Sequence, residues 1–162
     1  MRILGIDPGI ATTGYGAIKF SRGNIDLLDF GWIKTSKDLE SGDRYVLMYR
    51  EMISLLNKVR PDVMAVERLF FNFNVKTALS VSEAIGIILL AGAEKKIKVV
   101  RHTPLQVKKV ITGYGRASKD EMKKKIRKIL KFRSPNHKKT HFDDVCDALA
   151  IAVCHAKLLK NT

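Results

Sequence analysis

The sequence predicts an α/β protein built on a mixed five-stranded sheet flanked by helices, with the first three strands antiparallel. Three observations predict it. The chain opens with three short runs rich in β-branched and aromatic residues before any helical pattern appears. Strand-like and helix-like patterns then alternate, and the last third is helical in periodicity with repeated N-cap signatures.

Residues 2–7 are a short apolar run stopped by Pro8-Gly9, which reads as a buried strand ending in a turn. Residues 13–20 and 24–35 continue with β-branched and aromatic side chains around a Ser21-Arg22-Gly23 turn, completing an antiparallel trio. Val46, Leu47, Ile53, Leu55 and Leu56 mark a helix over about 42–59, with Pro61 beyond its end. A buried strand follows at 63–67. After a loop at 70–74, a long apolar helix runs from 77 to about 96 and reads as buried, and a fifth strand spans 97–101. Thr103, Pro104 and Gln106 supply an N-cap, a first-position proline and a capping-box glutamine. Ser118 and Glu121 repeat the capping box for a Lys-rich helix over about 119–132, and Thr140 with Asp143 opens a last helix to about 159.

The chain has 162 residues, the usual size of one domain, and is read as one domain over 1–162. Thirty Lys and Arg against sixteen Asp and Glu leave a formal charge of +14. Residues 101–140 carry 14 of the basic side chains and only 2 acidic ones, so the excess is local. A concentrated basic stretch is the footprint of a polyanion partner, with nucleic acid the first expectation. The N-terminus MRILGID lacks the apolar core of a secretory signal, which predicts a cytoplasmic protein. Glu83, Gly86 and Gly92 interrupt the longest apolar stretch, so no membrane span is expected. Cys146 and Cys154 lie eight residues apart in a helical pattern. That separation is about 12 Å, too far for a disulfide.

Asp7 ends the first strand and Glu67 ends the fourth, and neighbouring strand ends in an open sheet converge on one rim. The final helix adds Asp143, Asp144 and Asp147, of which Asp144 and Asp147 lie one turn apart on the same face. Neither has a Lys or Arg within four residues along the helix. Clustered carboxylates in an apolar setting raise each other's pKa unless a cation sits among them. Hard oxygen donors select Mg²⁺ or Mn²⁺ over zinc, and two such ions form a clamp for phosphoryl transfer. Simpler roles are open as well. Asp7 before Pro-Gly suits an Asx-type turn, and Glu67 could ion-pair with Arg68 or Arg101. Asp143 fits capping and the helix dipole better than metal binding.

Four blocks together resemble the RuvC family of Holliday-junction resolvases: GIDPGIATTGYG at 5–16, AVERLFF at 65–71, TPLQVKKVITGYGRASK at 103–119 and DDVCDALAIAVCH at 143–155. The first block alone also looks like the phosphate loop of actin-like ATPases, which need two such domains. The resemblance implies an RNase H-like fold, a homodimer, and Mg²⁺-dependent paired nicking of a four-way DNA junction, with Mn²⁺ able to substitute. It places the acidic metal and catalytic site on Asp7, Glu67, Asp144 and Asp147. One ion would activate water and the other stabilise the leaving 3′-oxygen, giving 5′-phosphate and 3′-hydroxyl ends. The Asp144 position varies within the family, where a histidine can stand. His141, one turn earlier, is a weaker candidate and reads as a surface residue of the capped helix. The family also implies the branch-migration proteins RuvA and RuvB as partners.

For DNA binding, the resemblance matches Phe70 to an aromatic that stacks at the junction centre, while Phe71 and Phe73 suit packing of their loop. Lys108, Lys109, Arg116 and Lys119 flank the glycine-bearing loop 112–115, and Lys108 and Lys119 match basic positions near the scissile strand. Met122, Ile126, Ile129 and Leu130 form the inward stripe of the Lys-rich helix. Lys123, Lys124, Lys125, Arg127, Lys128 and Lys131 are read as its phosphate-facing remainder. The long apolar helix could give one face to the core and another to a second subunit. The alternative class is a non-catalytic junction-binding protein of the same fold, and an actin-like nucleotide-binding half-domain is a third reading.

Overall fold

The computed structural model describes residues 1–68, 75–132 and 141–160. Strands β1 (Arg2–Asp7), β2 (Thr12–Ser21) and β3 (Asn24–Lys34) come first, followed by helix α1 (Ser41–Val59) and strand β4 (Val63–Glu67). Helix α2 (Val75–Glu94), strand β5 (Lys98–His102) and helices α3 (Pro104–Thr112), α4 (Lys119–Leu130) and α5 (Phe142–Lys160) complete the order. The sheet order is β3-β2-β1-β4-β5, antiparallel between β1, β2 and β3 and parallel from β1 through β4 to β5. This is the predicted mixed sheet, with each strand within a residue or so of its expected bounds.

Strand alternation sorts the side chains onto two faces. Ile3, Ile18, Val63 and Ala65 point toward α3, α4 and α5, with Val107, Ile111, Met122, Ile126, Leu149 and Val153 completing that core. Leu4, Ile6, Ala17, Met64 and Val66 point the other way, against Met48, Met52, Leu55 and Leu56 of α1 and Ala84, Ile88 and Ala91 of α2. The same parity carries Asp7 and Glu67, as the last residues of their strands, onto the α5 side.

Helix α5 lies against β1 and β2 at a distance only glycine permits. A Cβ on Gly5 would land on the Ala148 carbonyl and 2.7 Å from the Ala152 amide nitrogen, and one on Gly14 would strike the Asp144 carbonyl. A Cβ on Gly16 would meet the Leu149 side chain. These glycines therefore set the height of α5 over the sheet.

Three expectations change. Helix α2 is buried on one side only, because Leu79 and Leu90 remain 58% and 60% exposed. The buried stripe of α1 is led by Met48 and Met52, while Val46 faces outward. Thr103 does cap α3, accepting from the Gln106 amide at 3.2 Å. The Gln106 side chain does not close the box, however: its Oε1 meets His102 Nδ1 at 3.3 Å, since that buried ring needs a polar partner. Ser118 and Glu121 form the full capping box, the Glu121 carboxylate accepting from the Ser118 amide at 2.7 Å. The Thr140 cap lies outside the described residues.

Gly5→Ala tests the close approach. The added methyl meets backbone on the opposing helix, so it should destabilise the protein by about 3 kcal/mol, the upper range for forced overpacking, measurable by urea denaturation.

Candidate active site

Asp7 and Glu67 stand at the ends of adjacent parallel strands, and α5 begins directly above that rim. Asp7 pairs with Gly14 across β1 and β2, and the Asp144 backbone rests on Gly14. Asp147, one turn later, faces the same space. Asp7, Glu67, Asp144 and Asp147 are all partly buried, whereas Asp143 is exposed.

Their carboxyls are electrostatically coupled. The Asp7 carboxyl is pushed up to about 8 from its ordinary 3.8, first by burial and then by Glu67, Asp147 and Asp144, with Lys119 pulling the other way. Glu67 is pushed up to about 7, by burial and then Asp147, opposed by Lys119 and Lys108. Asp147 is also raised, chiefly by burial, with Asp143 and Asp144 adding to it and Lys119 and Lys123 countering.

The simpler roles fall away. The turn after β1 is closed by Thr13, whose hydroxyl donates to the Gly9 carbonyl at 2.6 Å, so Asp7 is not its turn former. Among the described residues no cation stands within 4 Å of Glu67, neither Arg68 nor Arg101. Asp143 is taken by Lys123, with 2.7 Å between Nζ and Oδ1, and so stays outside the cluster.

The basic residues divide into two groups. Lys119, the first residue of α4, brings its ammonium 3.7 Å from Asp147, which supplies the cation that α5 itself lacks. Lys108 on α3 is near enough to act on Glu67, while Lys109 and Arg116 are exposed further out. On α4, Met122, Ile126 and Leu130 point inward as expected. Two of the six basic residues assigned to phosphate are engaged within the chain: Lys123 with Asp143, and Arg127, whose guanidinium lies 5.1 Å from the Phe142 ring centroid. Lys124, Lys125 and Lys128 remain exposed beside Tyr114. Phe70, Phe71 and Phe73 lie outside the described residues.

His141 is partly buried. Its side chain is 28% exposed, its ring centroid lies 5.7 Å from that of Trp32, and its Nδ1 stands 3.5 Å from Asp144 Oδ2. The i,i+3 spacing of His141 and Asp144 is legible in the sequence, whereas the Trp32 contact is not, because only the packing of α5 on the sheet brings the two rings together. The Lys123–Asp143 pair was likewise hidden, since its partners sit on helices 20 residues apart whose packing alone brings them together.

Among the described residues no three His, Cys, Asp or Glu side chains stand close enough to share one ion in these positions. The donor chemistry nonetheless fits a divalent cation. The cluster is all carboxylate oxygen and partly buried, and burial together with mutual repulsion raises the Asp7, Glu67 and Asp147 carboxyls, which suits a cation among them.

A five-stranded mixed sheet with acids at the β1 and β4 ends and on the covering helix is an RNase H-like architecture. The family model described as Crossover junction endodeoxyribonuclease RuvC matches residues 3–155. The chain is 45% identical over 155 residues to the Crossover junction endodeoxyribonuclease RuvC of Halothermothrix orenii, covering 96% of this chain and 92% of that one. Thermus thermophilus RuvC superposes with a TM-score of 0.87 at 31% identity, covering 99% of this chain and 96% of that one. The same protein in complex with Holliday junction substrate gives 0.88 at the same identity and coverage. The chain therefore belongs to the RuvC family.

The raised carboxyls make stability depend on pH. Between about 4 and about 8 the folded protein keeps the Asp7 proton that the unfolded chain releases, so metal-free stability is greatest at low pH in this window and is lost as pH rises. Asp7→Asn should remove the Asp7 share of that slope, leaving the share from Glu67, and raise the metal-free Tm at pH about 8 by several degrees, read by thermal denaturation in EDTA.

Proposed function

We infer that this chain is a structure-selective endonuclease that resolves four-way DNA junctions by paired nicks, leaving 5′-phosphate and 3′-hydroxyl ends. One observation carries the reading: Asp7, Glu67, Asp144 and Asp147 gather at a single sheet rim on a chain of the RuvC family. Support for the DNA substrate comes from the similarity to T. thermophilus RuvC in its complex with Holliday junction substrate.

Asp7, Glu67, Asp144 and Asp147 would hold the divalent metal, with Mg²⁺ the proposed ion and Mn²⁺ a substitute. Bound there, such ions supply Lewis-acid stabilisation of the phosphate and a lowered pKa for an attacking water. The chain's own residues account for the rest. Lys119, close to Asp147 yet largely exposed, can turn its ammonium to a phosphate oxygen entering the cluster. Lys108 does the same from the Glu67 side, and Lys109 and Arg116 bind backbone phosphate beyond it. Lys124, Lys125 and Lys128 extend that track along α4, and Phe70 is proposed to stack on an unpaired base. The exposed Leu79 and Leu90 of α2, with Val46 of α1, support a homodimer face that would set two acidic sites at a fixed separation. Among the described residues no helix is long and apolar enough to cross a membrane.

The deciding experiment nicks a mobile four-way junction and a matched linear duplex, in Mg²⁺ or EDTA, with wild type and Asp147→Asn. The expected result is metal-dependent paired nicks in the junction alone, with the variant binding but not cutting. Tight binding without cutting in Mg²⁺ or Mn²⁺ would make the protein a junction-binding module instead. A second expectation concerns salt. Replacing Lys124, Lys125 and Lys128 by Gln should lower the log–log salt slope of junction affinity by about 1 for each phosphate contact removed.

A further inference from the structure

The residues around His141 form a support for one member of the acidic cluster. A single row of the sheet runs from Asp7 to its partner Gly14 and on to Trp32, all on the α5 side. Asp144 sits over Gly14, and one turn earlier His141 sits against Trp32, with the two rings inclined at 45°. The His141 Nδ1 lies 3.5 Å from Asp144 Oδ2 and 3.5 Å from Thr12 Oγ1. Three separate elements, the start of β2, the end of β3 and the first turn of α5, therefore converge on this one imidazole.

The backbone at His141 is also unusual. Its φ is +66°, in the left-handed region that His, Asn and Asp adopt more readily than other non-glycine residues. Its carbonyl already begins α5 by accepting from the Val145 amide at 3.3 Å. The side chain is thus not needed to start the helix, and the backbone conformation swings it toward Asp144 and Trp32. Carboxylates that bind metal are commonly fixed by a hydrogen bond from a neighbour, and loss of that neighbour weakens the metal although it touches none.

We propose that His141 is a positioning residue, packed against Trp32, that orients the Asp144 carboxylate for the divalent ion. The inference rests on the reading of Asp144 as a metal-holding group. Asp143, the adjacent acid, is exposed and paired with Lys123, so of the two neighbouring aspartates it is Asp144 that His141 meets.

The test is Mn²⁺ binding to the full chain without DNA, by calorimetry or by loss of the free-ion electron-spin signal. It compares wild type, His141→Phe and His141→Asn, each with and without Asp144→Asn. Phe keeps an aromatic ring on Trp32 but has no nitrogen. Asn places an amide near the Nδ1 position and tolerates positive φ. His141→Phe should weaken Mn²⁺ about tenfold or more while the metal-free protein stays folded. His141→Asn should restore most of the affinity, and in the Asp144→Asn background His141→Phe should add nothing. Wild-type affinity in His141→Phe would overturn the proposal. So would an equal loss in the Asp144→Asn background, or a loss that follows a lowered Tm and is not rescued by Asn. If wild type itself binds no Mn²⁺, the metal reading falls first and this proposal with it.

Discussion

The contact on which the rest depends is the close seating of α5 on β1 and β2. Gly5, Gly14 and Gly16 bring backbone against backbone, and the height of the helix decides whether Asp144 and Asp147 can reach the rim where Asp7 and Glu67 end. Side chains at these positions would lift the helix and pull the two halves of the acidic cluster apart. The helix is almost wholly apolar around its aspartates, with Val145, Cys146, Ala148, Leu149 and Ile151 all buried, so its burial drives the seating. The cost falls on the carboxyls, which are carried into a poorly solvated space together.

That cost is only partly relieved within the chain. Lys119 approaches Asp147 from the start of α4, and Lys108 acts on Glu67 from α3, yet Asp7 and Glu67 still stay near neutral pH in their titration. A site whose acids lack enough cations of their own is matched to a cation from solution, and a surrounding excess of Lys and Arg is matched to the phosphates that cation would act on. The acidic centre and basic margin are thus two sides of one electrostatic arrangement. Internal pairing trims the margin: Lys123 is held by Asp143 and Arg127 by Phe142, while Lys124, Lys125 and Lys128 stay outward.

The two faces of the sheet divide the work. The α3, α4 and α5 face carries the acids and basic residues, and the α1 and α2 face carries core and, through Leu79 and Leu90, an apolar exterior. Strand parity enforces the division, since Asp7 and Glu67 share a face with Ile3 and Val63 while Leu4 and Met64 take the other.

Much of this was determined by the sequence alone. Period-2 and helical patterns, Gly-Pro punctuation and capping residues are local, so the strands, helices and their order could be read directly. Four motif blocks carried the family, and the strand-end acids with the helical Asp144 and Asp147 pair outlined the proposed site. Tertiary structure decided whatever depends on residues distant in the chain meeting in space. It turned Gln106 to His102, gave Asp143 to Lys123, set Lys119 over Asp147, left one side of α2 outside and drew His141 onto Trp32 beside Asp144. Local propensity has no information about such meetings. They follow from sheet register and from the height at which glycine lets a helix lie.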